Sequence, residues 1–353
     1  MAFHNTLRSQ VLPVWCAAAL ALGAASGLMP AVAQTPAPDA APVQERTVGE
    51  WLLRMHEASR RRAYVGTFVV SSAEGSMSSA RIWHVCDGEQ QMERVESLTG
   101  TPRSTFRHND RVVTFLPASK VARTEQRETL GLFPNLLRAS DSPIGEFYVA
   151  RQTGHDRVAG FDADVVQITP KDALRFGYRI WSEKKSGLVV KLQTLDGDSR
   201  VLEQAAFSEL QLDAPVRMDK LSKMMANTEG YRVEKSEPVK TTALSEGWRL
   251  KSPVAGFQPV SCYKRPAAAD AGASAAAPGT MQWIFTDGLA SVSLFVEPYD
   301  ARRHAQEMMA AMGATHAIAR RLSDKPGDWW LTVVGEAPPA TLKAFAQSLE
   351  RVK

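Results

Sequence analysis

The chain has 353 residues, 44% hydrophobic and 23% charged, which excludes wholesale disorder and a polytopic membrane protein. Lys+Arg 42 against Asp+Glu 38 leaves a net charge of +4, too slight an excess to name nucleic acid as a partner. Three cysteines exclude a disulfide-scaffold miniprotein, and 23 glycines without a G-x-y period exclude collagen.

Arg8 is the only charged residue before an apolar, Ala-rich run from Val11 to Met29, and Ala31-Val32-Ala33 follows. A positive n-region, an h-region and an A-x-A site in that order predict a signal peptide over residues 1–33 and export of the chain. The rival is an uncleaved anchor helix, since the run is nearly long enough to span a bilayer. Its Ala and Gly content and the adjoining A-x-A site favour cleavage after Ala33. Cys16 lacks the small-residue context of a lipoprotein box. Cleavage would leave 41 Lys+Arg against 38 Asp+Glu, a charge of +3, with Cys86 and Cys262 as the remaining cysteines. In an oxidising compartment these two could form a disulfide, provided their Cα atoms come within about 7 Å.

Residues 34–46 read as a Pro/Ala tether. A helix is expected over 47–62, with Trp51, Leu52, Met55 and Ala58 on one face. Arg60, Arg61 and Arg62 at its end suit the helix dipole better than a phosphate site. The period then falls to two, and strands are expected at 64–71, 79–86, 89–98, 104–108 and 111–116. More follow at 147–152, 157–161, 163–170, 178–182, 188–195 and 201–210. Segment 128–139 (ETLGLFPNLLRA) interrupts them as a short helix broken around Pro134. Consecutive antiparallel hairpins with few helices predict one curved sheet, a half-barrel with helical lids over 47–212. Such a sheet encloses either a site for an acyl chain or merely a filled core.

Residues 213–236 read as a linker holding a helical turn or two around Met218, Leu221, Met224 and Met225. A smaller domain, 237–353, would carry strands at 248–250, 257–264, 281–287 and 289–297, with Asp287-Gly288 as a hairpin turn. Residues 266–280 are low-complexity and read as a mobile loop. A helix is expected at 300–312, strands at 317–322 and 328–334, and an amphipathic helix from Pro339 to the end. The fold class is α+β, mostly antiparallel.

A search for chemistry finds no GxSxG, HExxH, GxGxxG or Walker sequence. The histidines are scattered, so no metal site or cofactor is expected, and no catalytic residue is assigned. His84 and Cys86 on one strand face stand about 7 Å apart with no orienting carboxylate implied. Basic pairs such as Lys184-Lys185 read mainly as solvated faces. What remains are half-buried aromatic and Met side chains, as in a binding protein or in two ordinary cores.

One set of residues is specific enough to name a family. Arg157-Val158-Ala159-Gly160, Ile168, Arg175-Phe176-Gly177-Tyr178-Arg179-Ile180-Trp181-Ser182-Glu183, Gly187-Leu188 and Glu203-Gln204 resemble the RseB/MucB family of periplasmic sigma-E regulators. Trp51–Ala58 running into Tyr64-x-Gly66-x-Phe68 fits the family's opening. Gly256-Phe257, Asp287-Gly288-Leu289-x-x-Val292-Ser293 and Val334-Gly335-Glu336-x-Pro338-Pro339 fit its close.

The resemblance implies a LolA/LolB-like unclosed barrel, a smaller α+β C-terminal domain and a periplasmic location. It also implies a partner, the periplasmic part of a membrane-spanning anti-sigma factor (RseA or MucA), shielded from its first regulatory protease. Lipopolysaccharide or lipoprotein acyl chains would relieve that binding; the family has no catalytic residues. On this reading Trp83, Phe115, Leu130, Leu132, Phe133, Leu136, Leu137, Tyr148 and Trp181 border a lipid cleft. Met224, Met225, Arg302, Arg303, Arg320 and Arg321 contact the partner, and a second copy of the chain is a further candidate. A lipid or lipoprotein carrier of the LolA/LolB type is the alternative; a carrier has no need of the second domain.

Overall fold

Thr47 opens the first helix through a capping box. Its hydroxyl accepts from the Glu50 amide at 3.3 Å, and the Glu50 carboxylate accepts from the Thr47 amide at 2.7 Å. The computed structural model describes residues 46–126, 143–236, 238–265, 279–304, 306–324 and 327–352. The chain divides into two compact units, Met1–Gln44 and Glu45–Lys353, and all described residues belong to the second. The expected signal peptide and tether, segment 128–139 and most of loop 266–280 therefore lie outside the described residues.

Helix α1 (Val48–Arg61) is followed by a meander of six strands: β1 (Tyr64–Ser72), β2 (Met77–Asp87), β3 (Gln90–Ser97), β4 (Ser104–His108), β5 (Arg111–Leu116) and β6 (Val121–Gln126). Short α2 (Ile144–Phe147) opens a second meander: β7 (Tyr148–Val158), β8 (Phe161–Pro170), β9 (Gly177–Glu183), β10 (Val189–Leu195) and β11 (Val201–Leu212). Antiparallel pairing of β1 with β11 joins the two meanders. Helix α3 (Met218–Ala226) then leads to β12 (Arg232–Ser236), which pairs in parallel with β6. The result is a 12-stranded sheet, order β12-β6-β5-β4-β3-β2-β1-β11-β10-β9-β8-β7, unclosed because β12 and β7 stand at its two ends.

The smaller domain contains β13 (Val239–Lys240), β14 (Trp248–Leu250), β15 (Gln258–Arg265), β16 (Thr280–Thr286), β17 (Ser291–Pro298), β18 (Met308–Met312), β19 (Thr315–Asp324) and β20 (Gly327–Gly335). It ends in α4 (Pro339–Ser348) and β21 (Leu349–Arg351). Seven strands form one sheet, β13-β15-β16-β17-β20-β19-β18, and β14 pairs with β21. Phe345 and Leu342 of α4, both fully buried, pack on Phe257, Phe285, Leu294 and Val333 to form this domain's core.

The structure departs from the expected elements in two places, one in each domain. The strand expected at 147–152 runs on to Val158 as β7, with an irregularity in its pairing between Gln152 and Gly154, and the rest of the stretch expected at 157–161 is the turn into β8. Residues 213–236 hold the expected helical turns as α3, whose Leu221 and Met225 bury against Met92, Phe106 and Phe115, and β12, which extends the sheet. The expected helix at 300–312 is a turn followed by β18. Met308, Met309 and Met312 mimic a helical spacing, but the chain reverses at Gly313 (φ +60) and Met308–Met312 ladders onto β19. Cys86 and Cys262 are free thiols, each held in the strand pairing of its own sheet, opposite Gln91 and Trp283. Burial pushes Cys262 up to about 11 and raises Cys86, so neither is an activated thiolate at neutral pH.

Candidate binding cavity and domain seam

Side chains alternate across a strand, so each face of the large sheet can be read in steps of two. On one face of β2–β6, Val85, Met92, Phe106, Val113, Phe115 and Ala122 are covered by α3. On the other face, towards β7–β10, Trp51, Leu52 and Met55 of α1 pack on Tyr148, Ile168, Ile180 and Val189. Where α1 does not reach, a cavity of about 910 Å³ remains. Its walls are Phe68 and Val70 of β1, Ala80 of β2, Val95 of β3, Thr105 and Arg107 of β4, and Val112, Thr114 and Leu116 of β5. Leu192, Thr194, Glu203 and Ala205 line it from β10 and β11, with Tyr178 of β9. Leu289, Ser291 and Glu336 of the smaller domain complete it.

The space is open because most of these side chains are Ser, Thr, Val or Ala, too short to fill it. Arg103, Arg107 and Arg123 together with Glu93 and Glu125 put charges of both signs on its wall. Glu93 stands directly opposite Arg107 in the β3–β4 register. An apolar floor with a charged border can hold an amphiphile or an extended segment, within the usual size range of ligand cavities. Among the described residues no group of three or more His, Cys, Asp or Glu could hold a metal ion.

The two domains meet beside this cavity. Arg175, fully buried, places Nε 3.0 Å from Oδ2 of Asp287, an ion-pair distance rather than a well-aligned hydrogen bond. Its Nη1 pairs with Asp172, its Nη2 donates to the Ala255 carbonyl, and its guanidinium lies over the rings of Phe147 (4.2 Å) and Phe257 (5.1 Å). Tyr148 donates its hydroxyl to Asp287 Oδ2 at 2.9 Å, and the amides of Leu289 and Ala290 donate to Oδ1. Burial, with the nearby Tyr178 and Asp287, raises the Tyr148 phenol far above its ordinary range and keeps it a donor. Elsewhere on the seam the Thr341 hydroxyl donates to the Leu174 carbonyl.

A second contact joins the domains through carboxylates. The Gly313 amide donates to Glu74 Oε2 at 3.1 Å, and the Ser72 hydroxyl and that amide hold the Glu74 carboxyl below its ordinary value. Burial raises Glu203, with Glu74 adding to the rise and the Ala314 amide opposing it. Burial and the charge of Glu203 push Glu336 up from 4.5 to about 7. Glu336 keeps solvent contact through the cavity, and that water tempers the effect. The folded state binds the Glu336 proton more tightly than the unfolded chain. This contribution to stability is therefore complete below pH 4.5 and is lost as pH rises through about 7. Urea titrations should show that decline in wild type, and Glu336→Gln should flatten it; parallel profiles for the two proteins would contradict the assignment.

The residues named from sequence fall elsewhere than the cavity wall. Trp83 lies between the guanidiniums of Arg81 (5.6 Å) and Arg94 (4.7 Å), and Phe115 meets Phe106 and Tyr231 edge-on under α3. Tyr148 is at the seam, and Trp181 is buried with its indole donating to Asp156 at 2.9 Å. Leu130, Leu132, Phe133, Leu136 and Leu137 lie outside the described residues. Among the partner candidates, Met225 is core and Met224 packs partly against it. Arg302 and Arg303 occupy an exposed turn, where Arg303 pairs with Glu297 and Asp300. Arg320 and Arg321, adjacent on β19, point to opposite faces; Arg321 pairs with Asp328 and stacks over Tyr299. The cavity wall itself was missed. Its signal was an alternation of small residues, such as Ser78 and Ala80 or Val95 and Ser97, rather than large aromatics.

The described residues thus form two domains that share a buried ion pair and together wall one cavity. Residues 47–225 match the MucB/RseB N-terminal domain and residues 242–350 the MucB/RseB C-terminal domain. The chain belongs to the MucB/RseB family. It is 28% identical over 308 residues to the sigma factor AlgU regulatory protein MucB of Pseudomonas aeruginosa, covering 87% of this chain and 92% of that one. With the sigma-E factor regulatory protein RseB of Escherichia coli K12 it shares 22% identity, covering 86% and 90%. Among solved structures, MucB in complex with MucA(peri) aligns with a TM-score of 0.64 at 27% identity, covering 86% of this chain and 98% of that one. MucB alone aligns at 0.61 and 25% identity, covering 85% and 96%.

Proposed function

We propose that the protein binds the periplasmic part of a membrane-spanning anti-sigma factor, shields it from the first regulatory protease and so restrains an envelope-stress sigma factor. The observation that carries this reading is the family match in both domains, with a likeness that spans nearly the whole of a MucB chain solved with MucA(peri). The protein reaches the periplasm by cleavage after Ala33, and the cavity takes the acyl chain of a lipid or lipopolysaccharide as the relieving signal. Its apolar floor (Phe68, Val70, Val95, Leu116, Leu192) with arginines on the wall suits an anionic amphiphile. In this reading the protein has no catalytic role.

The test is protection. The purified periplasmic segment of the cognate anti-sigma factor is digested by its first protease with and without an equimolar amount of this protein. The segment's half-life should lengthen at least about tenfold; an unchanged half-life would sink the proposal.

A further inference from the structure

Strands β12 and β7 end the large sheet, and β13 and β18 end the sheet of the smaller domain. An edge strand presents unpaired N–H and C=O groups, and charged side chains are the usual guard against stray pairing there. Strand β7 carries Arg151, Asp156 and Arg157, β12 carries Arg232, Glu234 and Lys235, and β13 carries Lys240. Strand β18 is Met308-Met309-Ala310-Ala311-Met312, without a charge.

Packing does not account for these methionines. The core of the smaller domain draws on β15, β16, β17, β19 and β20 and takes no residue from β18. The strand is held by its ladder with β19, and both of its faces stand open. Met308 and Met312 share one face and are 55% and 72% exposed; Met309, on the other, is 58% exposed. Met77, 71% exposed, opens β2 opposite Ser71. The next residue, Ser72, adjoins Gly313, which follows Met312: a Cβ on Gly313 would lie 3.4 Å from that of Ser72. The two segments therefore meet at one corner of the molecule. Met55, Met92, Met225 and Met281, by contrast, are at most 5% exposed, each inside a hydrophobic core.

A thioether outside every core of the described residues is still a nucleophile. We propose that Met77, Met308, Met309 and Met312 form a reversible oxidation site, at which hydrogen peroxide and related peroxides convert the thioethers to sulfoxides while both domains stay folded. A sulfur lone pair attacks one peroxide oxygen, the S–O bond forms as the O–O bond breaks, and the other oxygen leaves as water. Sulfur is oxidised by two electrons and the peroxide reduced by two. Return takes two thiols: the sulfoxide oxygen leaves as water and the thiols become a disulfide, the reaction of methionine sulfoxide reductases. Each oxidation puts a polar S=O group where an apolar atom stood, so the uncharged edge becomes a polar one. The cysteines compete poorly, since the raised thiol pKa of Cys86 and of Cys262 leaves little thiolate. The site does not depend on the identity of the protein's partner or ligand.

A time course of the whole protein with hydrogen peroxide, each methionine followed by peptide mass spectrometry, tests it. Sulfoxide should form at Met77, Met308, Met309 and Met312 at least about tenfold faster than at Met55, Met92 and Met281. In urea-unfolded protein the same residues should react within about twofold of one another, which ties the selectivity to the fold. With the four sites oxidised, the urea midpoint should match that of untreated protein. The two methionine sulfoxide reductases, one for each epimer, supplied with a thiol, should then remove the added oxygens from the folded chain. Core methionines that oxidise as fast as the four, a midpoint that falls as the four react, or sulfoxides that the reductases cannot reach would each overturn the proposal.

Discussion

Arg175→Ala should lower the free energy of unfolding, read from a urea titration at neutral pH, by about 3–5 kcal/mol. Both side chains of the Arg175–Asp287 pair are fully buried, so the truncation strands a carboxylate rather than freeing it to water. The Tyr148 hydroxyl and the amides of Leu289 and Ala290 still bond Asp287, but they are dipoles and cannot replace a charge. The pairing is best isolated with a double-mutant cycle. Arg175→Met with Asp287→Asn removes both charges, retains an acceptor for the two amides and fills the guanidinium's space. It should recover a large part of the loss. Simple additivity of the two single changes would show that the charges are not energetically coupled.

Trp51→Ala should cost about as much, 3–5 kcal/mol, by a different mechanism. Trp51 is 1% exposed in the core where α1 covers β7–β10, among Tyr148, Ile168, Ile180 and Val189, and its ring lies 4.9 Å from the Arg46 guanidinium. Removing it deletes an indole's worth of buried area and leaves a hole that the flanking strands, fixed by their ladders, cannot collapse to fill. Leu53, two positions on and 47% exposed, is the control: Leu53→Ala should stay within about 0.5 kcal/mol of wild type. A comparable loss at both positions would mean that α1 contributes through helix propensity rather than through its buried face.

Much of the strand pattern was legible because its punctuation is local. Strands β4 and β5 fall where alternation placed them, 104–108 and 111–116, around a turn that Asn109 closes at φ +53. Asp287-Gly288 likewise turns as expected, with the Asp287 carboxylate capping its own turn. Illegible features depend on long-range pairing. Nothing near residue 232 announces that its strand will run beside β6, more than a hundred positions earlier. Met308–Met312 carries helical spacing and loses it to the ladder that β19 offers.

The family was legible in motifs; the cavity was not. Large aromatics were chosen for the cleft, and large aromatics are the residues that fill cores. Trp181, Phe115 and Tyr148 accordingly fill cores or the seam, while the open volume lies where Ser, Thr and Val repeat every second residue. In sequence Arg175 is only a motif residue and Asp287 only a motif and turn residue; the fold shows that they are partners.

Isothermal titration of the whole mature protein with the purified periplasmic segment of its cognate anti-sigma factor tests the central claim most directly. Saturable, stoichiometric binding is the predicted result. No heat and no complex at high concentrations of both, with each component shown to be folded or soluble, would contradict the account.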